Sequence, residues 1–97
     1  MASEYRAAIN YLESYIVRHG GNYGRWYVGI ATNPKKRLAE HNASTVPWVY
    51  YSTTNDQVAR DVESYFLDRL GTQGGKSGGD EKTRTVYAYR ISTTTIE

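Results

Sequence analysis

Three short runs rich in aromatic and β-branched residues constrain this chain most: Arg25–Ile30, Val46–Ser52 and Val86–Ile91. None has a 3.6-residue apolar period, and all have the make-up that favours a pleated, half-buried surface. A sheet of about three strands exposes two broad faces. It is stable only if something covers them. The cover is written between the strands as amphipathic helices. Tyr5, Ala8, Ile9, Leu12 and Ile16 recur at helical spacing behind Ser3, so a helix is expected from about residue 4 to 18, with Gly20 and Gly21 as its left-handed stop. Asn33-Pro34 opens a second helix, running to about Asn42, because proline at the first helical position loses no needed N–H. Thr54-Asn55-Asp56-Gln57 opens a third, whose stripe is Val58, Ala59, Val62, Tyr65, Phe66 and Leu70, and Gly71 closes it. Pro47 confines the start of the second strand to an edge or entry position. A glycine-rich loop (71–79) precedes the last strand, and the tail after Ser92 is expected to fray. The expectation is a single α+β domain over residues 1–97, with a small three-stranded sheet covered by helices.

Composition removes several function classes. Zero cysteines exclude a disulfide framework and thiolate zinc sites, and two histidines 22 residues apart, His19 and His41, make no recognisable ligand pair. His19 reads as an exposed helix end. No apolar run approaches the roughly 20 residues of a membrane span, and the acidic N-terminal stretch has no signal-peptide pattern, so the default expectation is cytoplasmic. A net charge of +2 is too small for a dedicated nucleic-acid binder, so phosphate contacts must come from local clusters. Ten tyrosines against one phenylalanine give a core whose rings carry hydroxyls.

Most candidate motifs fail on spacing. Gly71-Thr72-Gln73-Gly74-Gly75-Lys76-Ser77 is one residue short of a phosphate-binding Walker loop, and it follows a helix where that motif follows a strand. No serine lies in a Gly-x-Ser-x-Gly turn, so acyl-hydrolase chemistry has no nucleophile. The segment from Trp26 to Asn42 holds more. Lys35, Lys36 and Arg37 form a basic cluster at a helix start, a reasonable seat for a phosphate, and Arg37 and His41 share one helix face.

Tyr27-Val28-Gly29, then Arg37 ten residues after the tyrosine, then Arg37-Leu38-x-x-His41-Asn42, resembles the GIY-YIG nuclease superfamily. The resemblance covers roughly residues 25 to 70. It continues through the aromatic strand Trp48–Tyr51 into Ala59-Arg60-Asp61-Val62-Glu63, which is similar to the helix that carries the family's catalytic glutamate. The resemblance implies a GIY-YIG-like α+β fold and metal-dependent endonuclease activity on DNA, with Mg²⁺ or Mn²⁺ as cofactor. It gives Tyr27 the handling of the attacking water, Arg37 the stabilisation of phosphate charge, His41 proton movement or phosphate binding, and Glu63 the metal. Lys35, Lys36 and Arg37 are the expected nucleic-acid contacts. The family's Gly-Ile-Tyr strand, about ten residues before the YIG strand, has no counterpart. Tyr15-Ile16-Val17 lies at that place, where the periodicity argues for helix: either a helix replaces the hairpin or Tyr15 begins a short strand, and Tyr23 is a further source of the lost hydroxyl. The asparagine that often follows the glutamate helix is also missing; its place falls at Gly74-Gly75. The alternative function is a nucleic-acid-binding or protein-interaction module without turnover. A third is a small structural protein whose tyrosine-rich sheet pairs with a second copy; a homodimer or partner protein would also make up for the absence of a DNA-binding domain.

Overall fold

Ser3 Oγ accepts the Arg6 amide at 3.1 Å and starts helix α1, Glu4–Arg18, as its capping position predicts. In this computed structural model, residues 3–75 and 83–97 are described. A 3₁₀ turn, Tyr23–Arg25, leads into strand β1, Trp26–Ala31. Asn33 caps helix α2, Pro34–Glu40, by accepting the Lys36 amide at 3.2 Å, with Pro34 in the first turn. Strand β2 is Trp48–Ser52, and Asn55 caps helix α3, Asp56–Tyr65, which widens into a π turn over Phe66–Leu70. Gly71, at φ 77°, ends it in the left-handed region. Strand β3, Thr85–Arg90, completes a three-stranded sheet of order β1-β3-β2. The expected α+β fold is what forms.

The last strand in sequence is the central one. It pairs antiparallel with β1, Tyr27 opposite Tyr89 and Gly29 opposite Tyr87, and antiparallel with β2, Trp48 opposite Tyr89 and Tyr50 opposite Tyr87. Both sheet faces are covered, which is why five of the six residues of β3 are buried. Because side chains alternate across a strand, the sheet separates two cores. Trp26, Val28, Ile30, Val49, Val86 and Ala88 pack against the apolar stripes of α1 and α3. On the other face Ala31, Tyr87 and Tyr89 pack with Leu38 of α2 and with Ala43, and half-buried Tyr27, Trp48 and Tyr50 close around them.

Two segments are more ordered than the sequence suggests. Part of the glycine loop is pinned to the outer edge of β1: Gln73 N donates to Trp26 O at 2.8 Å and Val28 N to Gln73 O at 2.9 Å. A side chain at Gly74 would sit 2.3 Å from Val28 O, so the close approach requires glycine there. The rest of the loop, 76–79, lies outside the described residues. The tail does not fray. Thr95 N bonds back to Ser92 O, the Asn42 amide donates to Thr94 O at 2.9 Å, and Ile96 N donates to His41 O at 2.7 Å. A polar run with no apolar period still binds when its backbone groups find fixed partners.

Candidate functional site

Tyr87 is the hub of the site, and sequence reasoning missed it. Its ring crosses β1 at Gly29, where an added Cβ would meet the hydroxyl oxygen at 2.7 Å, so the glycine of Tyr27-Val28-Gly29 is the slot through which the phenol passes. There it lies near the Arg37 guanidinium, whose charge acts on it, and it meets His41 Nε2 at 2.9 Å. The ring's other nitrogen, Nδ1, lies 2.7 Å from the Ile96 carbonyl. A carbonyl only accepts, so Nδ1 carries the proton, Nε2 of the neutral imidazole accepts, and the Tyr87 hydroxyl is the donor. The hydrogen bonds run from Tyr87 to His41 and from His41 to the tail, with the Arg37 guanidinium beside the phenol.

Three of the expected residues, Tyr27, Arg37 and His41, lie around this hub. Arg37 and His41 share a helix face as their spacing predicts, and both reach the same phenol. Tyr27 packs its ring 4.7 Å from that of His41 and stacks on Tyr89 at 5.2 Å. Glu63 is 2% exposed, so it is not a solvated carboxylate, and its charge acts on the Tyr87 phenol although α3 packs on the opposite sheet face. Tyr15 and Tyr23 do not join. Tyr15 is inside α1, stacked on His19 at 4.1 Å, and the Tyr23 hydroxyl donates to Glu13 at 3.2 Å. His19 is no free helix end: its Nδ1 donates to the Tyr15 carbonyl at 2.8 Å. Lys35 and Lys36 stand exposed in the first turn of α2. Lys36 and Arg37 line a cleft of about 420 Å³ with Thr32 and Thr83 at the Ala31 end of β1. Arg37 also pairs with Glu40 at 3.4 Å, a half-exposed contact of little energetic weight. Its Nε is shielded from solvent and meets no hydrogen-bond partner among the described residues. Functional sites tolerate such orphan donors, at a cost of about 1–3 kcal/mol.

The phenols are tuned against ionisation. Burial pushes Tyr87 up to about 12, against the opposing pull of Arg37. Tyr89 is raised further, by burial first and then by Glu97, to which its hydroxyl donates at 3.1 Å. Tyr87 is therefore neutral near pH 7 and is placed to donate to His41.

Of the carboxylates near these residues, Glu63 is buried and Glu40 lines the Arg37 cleft, paired with Arg37. Among the described residues no group of three or more His, Cys, Asp or Glu side chains could hold an ion. The hard oxygen of Glu63 suits magnesium, which takes most of its shell from water and is often held by one or two carboxylates. At 2% exposure, a hydrated ion reaches Glu63 only with local rearrangement. Comparison with protein-family models, with curated proteins and with solved structures finds no match.

The Tyr87 signal was present in the sequence but out of order. Tyr87-Ala88-Tyr89 is on β3, which lies antiparallel beside the Tyr27 strand although it comes last in the chain. Searching for the second tyrosine strand anywhere in the chain, rather than upstream alone, would have found it.

Proposed function

We propose that this chain hydrolyses phosphodiesters in DNA, with Tyr27, Arg37, His41, Glu63 and Tyr87 as its working residues. One observation supports the reading: Arg37 and His41, which the spacing puts on one helix face and the resemblance singles out, stand at one tyrosine on the strand paired with the Tyr27 strand, His41 bonded to its hydroxyl. Two tyrosine strands, an arginine and a histidine thus meet on one sheet face despite the altered chain order.

The chemistry follows from the hydrogen bonds. Arg37 offers a guanidinium to the phosphate oxygens, whose charge grows as the attacking oxygen adds to phosphorus. An attacking water, held between Tyr27 and Tyr87, gives its proton to the Tyr87 oxygen as the Tyr87 hydroxyl proton moves to His41 Nε2. A phenol held near 12 is a poor base by itself, so both transfers must occur together. The imidazolium that results keeps its Nδ1–H on the Ile96 carbonyl, which stabilises the cation. The P–O bond to the leaving oxygen breaks, and that oxygen takes its proton from solvent. Magnesium or manganese, held through Glu63, would add positive charge beside the phosphate.

The test is nicking of supercoiled plasmid by the purified chain with Mg²⁺ or Mn²⁺. Arg37→Ala and Glu63→Gln should reduce nicking to background, and Tyr87→Phe should slow it about 10²- to 10³-fold, as loss of one transition-state donor does. No nicking by the unaltered chain, or equal nicking by Arg37→Ala, ends the proposal. The second reading, a nucleic-acid-binding module without turnover, is favoured by the pairing of Arg37 with Glu40 and by the reluctance of Tyr87 to ionise. It predicts salt-sensitive binding with no cleavage.

A further inference from the structure

A groove of about 740 Å³ opens at the Trp26 end of β1, away from the Arg37 cleft, and its walls carry Arg25, Arg90 and His19. Among the described residues no carboxylate lines it; the remaining polar lining includes Gln73, Ser92 and Thr93. Such a lining attracts an anion and offers nothing to repel one. The walls are braced. Ile91 N donates to Arg25 O at 2.7 Å, and the Gln73 side chain donates to Gly24 O at 3.2 Å, which ties the β1 entry to the end of β3 and to the glycine loop. A prebuilt groove spares a ligand part of the ordering cost.

Each arginine has an ordinary alternative use. Arg90 Nη1 reaches the His19 carbonyl at 3.4 Å, where a cation suits the end of α1. That contact is long and uses one of five N–H donors. Arg25 stands exposed. Helix capping accounts for one donor; it does not account for two guanidinium groups on one groove without an acid.

Chemistry gives the groove its ligand. Arg90 follows Val86 and Ala88 on the sheet face that packs on α1 and α3, and reaches the end of α1, whereas Tyr27, Tyr87 and Arg37 stand on the α2 face. The groove is therefore a site apart from the Tyr87 centre. Two guanidinium groups with no acid between them suit the oxygens of a phosphate, which each can grip with two N–H donors.

We propose that the Arg25/Arg90 groove is a second phosphate site, which grips the backbone of a nucleic-acid strand away from the Tyr87 centre. The inference rests on the phosphodiester reading for its class of ligand, and its test is independent of turnover. Binding of a fluorescent 20-base-pair DNA duplex is measured by anisotropy in EDTA across a salt series. Arg25→Ala/Arg90→Ala should weaken binding at least tenfold at 100 mM salt and reduce the slope of log K against log salt by about 2, since each phosphate contact contributes about 0.9. Arg25→Lys/Arg90→Lys should restore most of the slope, which separates lost charge from lost folding. Arg25→Ala alone, which leaves the α1 contact intact, should remove about half of the effect. Inorganic phosphate at equal ionic strength should compete only in the millimolar range. An unchanged slope in the alanine pair overturns the proposal, as does inorganic phosphate competing at micromolar concentration, which would make this a free-phosphate site. If the unaltered chain never cleaves DNA but the arginine pair sets the salt slope, the phosphodiesterase reading fails and the groove stands as a backbone-binding site.

Discussion

A methyl group at residue 29 would stand 2.7 Å from the Tyr87 hydroxyl oxygen, closer than carbon and oxygen pack. Gly29 is therefore fixed by its neighbour's side chain; its own backbone needs no positive φ. Gly29→Ala should displace the phenol from Arg37 and His41 and destabilise the fold by roughly 1–3 kcal/mol, the usual cost of overpacking a closed core. Urea denaturation checks the stability, and nicking activity should fall with it. The ring carbons Cζ and Cε1 stand almost as close, at 2.8 and 3.0 Å, so the companion is Gly29→Ala/Tyr87→Leu: with the ring gone, part of the lost stability should return while activity does not. No recovery in the double variant would show that the steric account is wrong. Arg37 and His41 were legible from the sequence because i,i+4 spacing fixes a shared helix face wherever the helix sits. Tyr87 was not, because its role depends on which strand lies beside β1, and strand order is not written in the local pattern.

Elements show the same division. The caps at Ser3, Asn33 and Asn55 and the stop at Gly71 set helix ends that agree with the sequence reading within one or two residues, since capping is a local transaction between one side chain and one amide. The tail is the opposite case. Nothing in Ser92-Thr93-Thr94-Thr95-Ile96-Glu97 indicates order, yet its backbone forms hydrogen bonds with His41 on both sides: the Ile96 amide donates to the His41 carbonyl and the Ile96 carbonyl receives Nδ1–H, each at 2.7 Å. Removing residues 92–97 should free the ring to exchange tautomers. In ¹⁵N NMR the full chain should show Nδ1 protonated and Nε2 as acceptor, and the shortened chain should move toward the Nε2–H form that dominates in free histidine. Activity should fall by about tenfold or more, because a protonated Nε2 cannot take the proton from Tyr87. Identical ring shifts in the two chains would remove the tail from the mechanism.

For the molecule as a whole, a tyrosine-rich core makes stability depend on alkaline pH. Tyr87 is held near 12 by burial, and Tyr89 and Tyr23 are also raised, in each case by burial first and then by a carboxylate, Glu97 for the one and Glu13 for the other. An ordinary phenol in the unfolded chain ionises near 10. Below pH 10 both states hold the proton and the contribution is complete. Between 10 and 12 the unfolded chain releases a proton that folded Tyr87 retains, so stability falls with rising pH. Above the folded value the contribution is gone. A two-unit difference at Tyr87 amounts to about 2–3 kcal/mol at 1.36 kcal/mol per unit. Urea melts from pH 8 to 12 should therefore be flat to about pH 10 and then decline. Tyr87→Phe should be less stable at pH 8, having lost a buried hydrogen bond, yet show a shallower alkaline decline. Absorbance at 295 nm should show some phenols still protonated at pH 11 in the folded chain and none after unfolding. A decline equally steep in Tyr87→Phe would shift the cause to Tyr89 and Tyr23 and leave the phenol at the centre of the site without its inferred environment.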